Sequence, residues 1–235
     1  MIDLSQVEIG HKTVLFTIEN LQFNKGKMYA LIGANGSGKT TFLQSIIGIN
    51  NPLKGDVMVS GSSISKLNRI EKAKTFSFVG SKFDGVDYLK VKDYIALGRT
   101  PYTNALGRLD DTDLKVVNET IALLQLEHLQ NKFTTELSDG ERQLAAIGRA
   151  IAQQTEIIIL DEPTAFLDYA NRKKVMELMK KIAIELNKCV IVSSHDLELC
   201  LESEIDLVVV NKKLRKLMLH EANSLSKIEL IELGF

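Results

Sequence analysis

Apolar residues along this chain recur with two different periods, and the switching between them predicts the architecture. Short apolar or alternating stretches, read as strands, fall at residues 2–9, 14–23, 28–32, 56–59, 76–79, 156–160, 189–193 and 205–210. Apolar positions spaced three and four apart predict helices at 40–49, 91–97, 113–125, 139–153, 171–186, 197–202 and 224–233. Strands alternating with helices predict an α/β fold with a largely parallel sheet. From about residue 82 to 153 the pattern is mainly helical, interrupted by the turn-rich 98–111, before strands return at 156. That order predicts a helical lobe at about 82–153 inserted between two parts of a core, at about 1–81 and 154–235, in a single domain.

Composition narrows the class of partner. The 235 residues suffice for one substantial core. With 29 Lys+Arg against 30 Asp+Glu the formal net charge is −1, so wholesale attraction to nucleic acid or anionic lipid is not expected. Residues 1–10 show no basic stretch leading into an apolar one, and no apolar run approaches the ~18 residues that span a bilayer, so a soluble, unexported protein is expected. Cys189 heads an apolar strand-like run and Cys200 lies in a helical pattern, as buried reduced thiols would.

The most specific chemistry lies in Gly33-Ala34-Asn35-Gly36-Ser37-Gly38-Lys39-Thr40, which satisfies G-x-x-x-x-G-K-[ST] between two apolar runs. Glycines let the backbone curl so that successive N–H groups point inward, Lys39 reaches the β- and γ-phosphates, and the Thr40 hydroxyl can ligate Mg²⁺. The helix that follows brings its positive end, and Thr41, to the anion. A second piece is Ile157-Ile158-Ile159-Leu160-Asp161-Glu162, a buried strand with two carboxylates at its C-terminal end, where ligands gather in parallel sheets. Asp161 is assigned to Mg²⁺ and Glu162 to the attacking water. A third is Leu137-Ser138-Asp139-Gly140-Glu141, in which Ser138 and Glu141 form the S-x-x-E of a capping box, and a capped helix start also presents N–H groups to an anion.

Together these motifs resemble the ATP-binding subunits of ABC transporters. Residues 33–40 match Walker A, 157–161 match Walker B with Glu162 as the catalytic glutamate, and 137–141 stand where the family has LSGGQ. Ala165-Phe166-Leu167-Asp168 matches the D-loop, and Ser194-His195-Asp196 the switch histidine with its neighbours. The resemblance implies a P-loop NTPase core of mostly parallel sheet, with an antiparallel β-subdomain and an inserted helical subdomain. It implies a nucleotide site built from Gly33, Asn35, Gly36, Ser37, Gly38, Lys39, Thr40 and Thr41, with His195 on the γ-phosphate. Ser138 and Gly140 would serve ATP held by the opposite subunit of a head-to-tail homodimer, and Asp168 of the D-loop joins the nucleotide-binding residues. Transmembrane permease subunits, indirectly a substrate-binding protein, and a place on the cytoplasmic face of the membrane follow from the same resemblance, and nucleic acid does not. Residues 96–108, 138–143 and 161–168 look like importers of iron-siderophore, haem or cobalamin; a non-transport ABC ATPase of DNA repair or translation is the alternative. The chain departs from the family at three places. Ser81 stands where the Q-loop has Gln, and would reach Mg²⁺ or water only through a further water. Only Ile9 or His11 is offered for adenine stacking. Asp139 and Glu141 replace Gly and Gln of the signature, so Asp139 is expected to point away from phosphate.

Overall fold

Val, Ile and Leu on both faces of a strand demand cover on both sides, and that requirement organises the molecule. The computed structural model describes residues 1–104, 106–211, 216–224 and 229. Among these, ten strands form one sheet: β1 (Ile2–Gly10), β2 (Val14–Phe23), β3 (Lys27–Ile32), β4 (Val57–Val59), β5 (Ser62–Ser63), β6 (Phe76–Val79), β7 (Ile157–Leu160), β8 (Cys189–Ser194), β9 (Asp206–Asn211) and β10 (Lys216–His220). Their order is β5-β4-β1-β2-β10-β9-β3-β8-β7-β6. The β9-β3-β8-β7-β6 half is parallel, with Lys27 of β3 opposite Cys189 of β8 and Ile157 of β7 opposite Phe76 of β6. β1, β2, β4 and β5 pair antiparallel, as do β9 and β10.

Seven α-helices accompany the sheet among the described residues: α1 (Lys39–Ile46), α2 (Arg69–Thr75), α3 (Val91–Ala96), α4 (Asp111–Leu123), α5 (Asp139–Ala152), α6 (Tyr169–Glu185) and α7 (Leu197–Glu202). Alternate residues of each parallel strand feed two cores. Ala30, Ile158, Leu160, Val190 and Val192 join one with residues of α3 to α7, and Leu31, Ile157, Ile159 and Ile191 join another with Phe42, Leu43 and Ile46 of α1 and Ile2, Leu4 and Ile18 of the antiparallel strands. The period of two along β7 and β8 thus packs α1 on one face and the helical segments on the other. No described helix is long and apolar enough to cross a membrane.

Several short elements escaped the periodicity. α2 buries none of its side chains and is held by a capping box between Asn68 and Glu71, so it has no apolar stripe to read. β5 has two residues, and β10 takes its place from pairing with β9. The turn-rich stretch begins with a 3₁₀ helix over Leu97–Tyr102 in which Gly98 and Arg99 are buried. A Cβ on Gly98 would sit 2.3 Å from the Arg149 carbonyl oxygen, so only glycine lets this turn lie against α5. Arg99 is fixed there by Nε to Asp113 (2.8 Å) and Nη1 to the Ala152 carbonyl (2.9 Å). The helix expected at 224–233 lies outside the described residues apart from Ser224 and Glu229. Both cysteines are buried and free, and burial pushes each thiol up to about 12.

Candidate nucleotide site

Every group of the site hangs on the C-terminal end of a parallel strand. Residues 33–38 leave β3 and turn into α1, with Gly36 at φ 67° and Gly38 at φ 97°. A Cβ on Gly38 would meet the Phe16 ring at 2.6 Å, and one on Gly33 would meet Ser37 Oγ and Val210 Cβ at 2.9 Å each, so the loop has no room for side chains there. Lys39 is 5% exposed and turns back over the loop, donating from Nζ to the carbonyls of Gly33 (2.8 Å) and Ala34 (3.5 Å). The same ammonium lies 3.5 Å from Glu162 Oε1. Residues 35–41 line a cavity of about 330 Å³ with Leu15 and Glu162. A larger void of about 420 Å³ between α4, α5 and α6 has none of these groups.

β7 delivers the two carboxylates. Asp161 is buried, its N–H bonded to the Val79 carbonyl of β6 (2.8 Å) and its Oδ2 accepting from Thr40 Oγ1 (2.7 Å). Glu162 adopts φ 49°, a left-handed backbone that bulky residues seldom take, and so faces Lys39 rather than continuing the strand. From the end of β8, His195 Nδ1 stands 3.5 Å from Glu162 Oε2. The structure therefore brings Lys39, Thr40, Asp161, Glu162 and His195 together beside the loop. Sequence reasoning passed over Ser193, wholly buried between β7 and β8: its hydroxyl donates to Asp161 Oδ1 (2.5 Å) and accepts from the Glu162 N–H (2.8 Å). Its signal was one of two consecutive serines closing an otherwise apolar strand.

Other expected residues stand apart from this cluster. Ser81 is exposed just beyond β6, and no hydrogen bond among the described residues joins it to Asp161 or Thr40. Ser138 caps α5 in the expected box, accepting from the Glu141 N–H (3.3 Å) while Glu141 Oε2 accepts from the Ser138 N–H (2.8 Å). Those contacts hold the Glu141 carboxyl below its ordinary value, the Ser138 backbone N–H first among them. Asp139 is paired with Arg142, which also donates to the Leu137 carbonyl (2.6 Å). Gly140 is tight against Leu167, where a Cβ would sit 2.8 Å from Cδ2. Asp168 caps α6 through the Asn171 N–H (2.8 Å). For the adenine, Ile9 is fully buried and unavailable, which leaves the exposed His11.

The loop fits the phosphates of a nucleoside triphosphate. Ser37 Oγ is buried without a partner, a defect in a closed protein but a donor in waiting beside an anion. Lys39 rests on carbonyls that phosphate oxygens would outcompete as acceptors. A hydroxyl and a carboxylate already in contact, Thr40 and Asp161, are oxygen donors suited to Mg²⁺.

A curled nucleotide loop on a mixed sheet, faced by strand-end carboxylates, defines a P-loop nucleotide-binding protein. The chain belongs to the ABC transporter family, whose model matches residues 17–165. Membership implies ATP binding and hydrolysis. An uncharacterised ABC transporter ATP-binding protein of Methanocaldococcus jannaschii is 39% identical over 182 residues, 77% of this chain and 63% of that protein, so the match spans less than two thirds of the relative. The achromobactin transport ATP-binding protein of Dickeya dadantii is 34% identical over 83% of this chain and 74% of its own length. The molybdate import ATP-binding protein of Haemophilus influenzae is 34% identical over 77% and 66%. Among solved structures, a chain of a metal-chelate type ABC transporter in an inward-facing conformation superposes with TM-score 0.85 at 27% identity, covering 99% of this chain and 87% of that one. A dimeric ATP-binding cassette in a post-hydrolysis state with ADP and Pi superposes with TM-score 0.81 at 25% identity, covering 96% and 100%.

Proposed function

We propose that the chain is the ATP-hydrolysing subunit that powers a membrane transporter importing an iron-siderophore, haem or cobalamin-type compound. The observation that carries the chemistry is the meeting of Lys39, Thr40, Asp161, Glu162 and His195 beside a loop whose Ser37 hydroxyl lacks a partner. On binding ATP, Lys39 exchanges the Gly33 and Ala34 carbonyls for β- and γ-phosphate oxygens. The backbone N–H groups of 36–38, with Gly33, Asn35, Ser37 and Thr41, hold the rest of the phosphate chain. Mg²⁺ supplies charge neutralisation at the phosphates, and Thr40 and Asp161 would hold it, with Ser81 reaching it through water. Glu162 orients the attacking water and takes up its proton, while His195 bonds the γ-phosphate and reports its presence.

Ser138, Gly140 and Asp168 belong to the neighbouring subunit's site. They lie outside the cluster of their own chain, and a related cassette is dimeric, which together support a head-to-tail homodimer. In this reading residues 1–81 and 154–235 form the catalytic core, and 82–153 face permease subunits on the cytoplasmic side of the membrane, fed by a substrate-binding protein. The siderophore class is supported by the achromobactin relative and by residues 96–108, against the molybdate relative.

Glu162→Gln keeps the side chain's size and removes its basicity. ATP binding should persist while hydrolysis falls ~10²-fold or more and an ATP-loaded dimer accumulates on light scattering. Unimpaired hydrolysis in a monomer would overturn the assignment. Proteoliposomes with the cognate permease should import a ferric chelate and leave molybdate outside; the reverse would reassign the substrate.

A further inference from the structure

We propose that Ser193 is a positioning residue that joins the two carboxylates of the site into one rigid unit. The proposal rests on the roles given above to Asp161 and Glu162. A serine hydroxyl has one proton to donate, and here its direction is unambiguous. The Glu162 backbone N–H can only donate, so Ser193 Oγ accepts from it (2.8 Å), and the proton of the hydroxyl goes to Asp161 Oδ1 (2.5 Å). The Oδ2 of the same carboxylate accepts from Thr40 (2.7 Å), so both oxygens of Asp161 are held from opposite sides. Bonds around a buried carboxylate set its plane as firmly as packing does, and outer partners of this kind tune the groups they hold.

The second contact acts on Glu162. Its backbone sits at φ 49°, in the left-handed region, and such conformations persist only where the surroundings enforce them. The Ser193 hydroxyl is a side-chain partner that fixes that peptide, and the turn is what directs the Glu162 carboxylate to 3.5 Å from both Lys39 Nζ and His195 Nδ1. Ser193 is wholly buried between the apolar Val192 and the buried Ser194, whose own hydroxyl accepts from the Asp196 N–H (3.0 Å), so of these two strand-end hydroxyls it is Ser193 that bonds to Asp161 and Glu162. One atom therefore ties the C-terminal ends of β7 and β8 together where the metal-directed and water-directed groups diverge.

The test compares wild type with Ser193→Ala and Ser193→Thr. In Ser193→Ala, turnover should fall about 10- to 100-fold with the ATP KM within about threefold, and the Mg²⁺ concentration for half-maximal turnover should rise. In the absence of nucleotide and metal, amide hydrogen exchange at Glu162 should speed up while peptides from β3 and β9 keep their protection. Ser193→Thr retains the hydroxyl and should restore both readouts. Should the threonine methyl unfold the strand, which a melting curve would show, the exchange and Mg²⁺ readings of Ser193→Ala decide alone. Wild-type turnover, Mg²⁺ dependence and Glu162 exchange in Ser193→Ala overturn the proposal, provided Glu162→Gln is inactive in the same assay. If Glu162→Gln hydrolyses ATP normally, the failure belongs to the assignment of the carboxylates, and the apo exchange of Ser193→Ala still reports whether the hydroxyl holds the turn.

Discussion

Arg99 and Asp113, beside α5, and Lys39 and Ser37, in the loop that opens α1, are all nearly buried, yet their donors and acceptors are matched differently. Arg99 gives Nε to Asp113 and Nη1 to the Ala152 carbonyl and to Gln154 Oε1 (2.9 Å each for Nη1), and its guanidinium lies 4.2 Å from the Tyr102 ring centre. Asp113 in turn closes the capping box of α4 with Asp110. Each charge there is answered by a fixed partner of this chain. In the nucleotide site Lys39 leans on loop carbonyls, with Glu162 Oε1 only at 3.5 Å, and Ser37 Oγ has no partner. Charge that the protein completes by itself serves the fold; charge left with exchangeable partners is prepared for a ligand.

Two measurements, turnover and melting, separate these regions. The largest effect is expected at Lys39, the one side-chain cation within the loop: Lys39→Ala should abolish ATP turnover by losing a charge-assisted phosphate contact, with little change in the melting of the ligand-free protein. Turnover within severalfold of wild type would remove the loop from the mechanism. Arg99→Ala should do the reverse, leaving Asp113 buried without its countercharge and costing about 3–5 kcal/mol in denaturant unfolding. Molecules still folded should turn over ATP at close to the wild-type rate. Burial pushes the Asp113 carboxyl up, but the Arg99 guanidinium and the Asp110 N–H outweigh it and hold it below the ordinary value. A lowered carboxyl stabilises at neutral pH and loses that contribution as the pH falls through its folded value, so the gap between wild type and Arg99→Ala should narrow below about pH 4. A gap that widens in acid would contradict the ion-pair account. The smallest effect is expected at Ser81: Ser81→Gln should change turnover measurably by offering a direct contact to Mg²⁺ or water, whereas equal rates for Ser81→Gln, Ser81→Ala and wild type would take this exposed residue out of the metal set.

Much of this division was legible in the residues. The loop, the strand-end acids and the S-x-x-E box are short-range patterns, and a backbone turn or cap is decided by neighbours a few positions away. β7 and β8 announced themselves through unbroken apolar runs. Ser193 and Arg99 did not, because what each does depends on residues 32 and 14 positions away, respectively, reached only after the strands and lobe have packed. The unavailability of Ile9 is of the same kind: an apolar residue at a strand end is equally fit to stack on a base or to fill the core, and neighbours from β2 decide. α2 was missed because caps and exposed residues hold it, and periodicity reads only buried faces.

The position of β3 between β9 and β8 has a bearing on how the chain is made. β1, β2 and β4 can pair as soon as they leave the ribosome, but Lys27 of β3 waits for Cys189 of β8, 162 residues later. At synthesis rates of about 5–20 residues per second, that interval is roughly 10–30 seconds. Throughout it the nucleotide loop hangs from a strand with both edges bare, and Tyr29 and Leu31 have only α1 and the antiparallel strands for cover. A nascent chain arrested before β8 should therefore expose apolar surface and bind holding chaperones, and one extended past β9 should not.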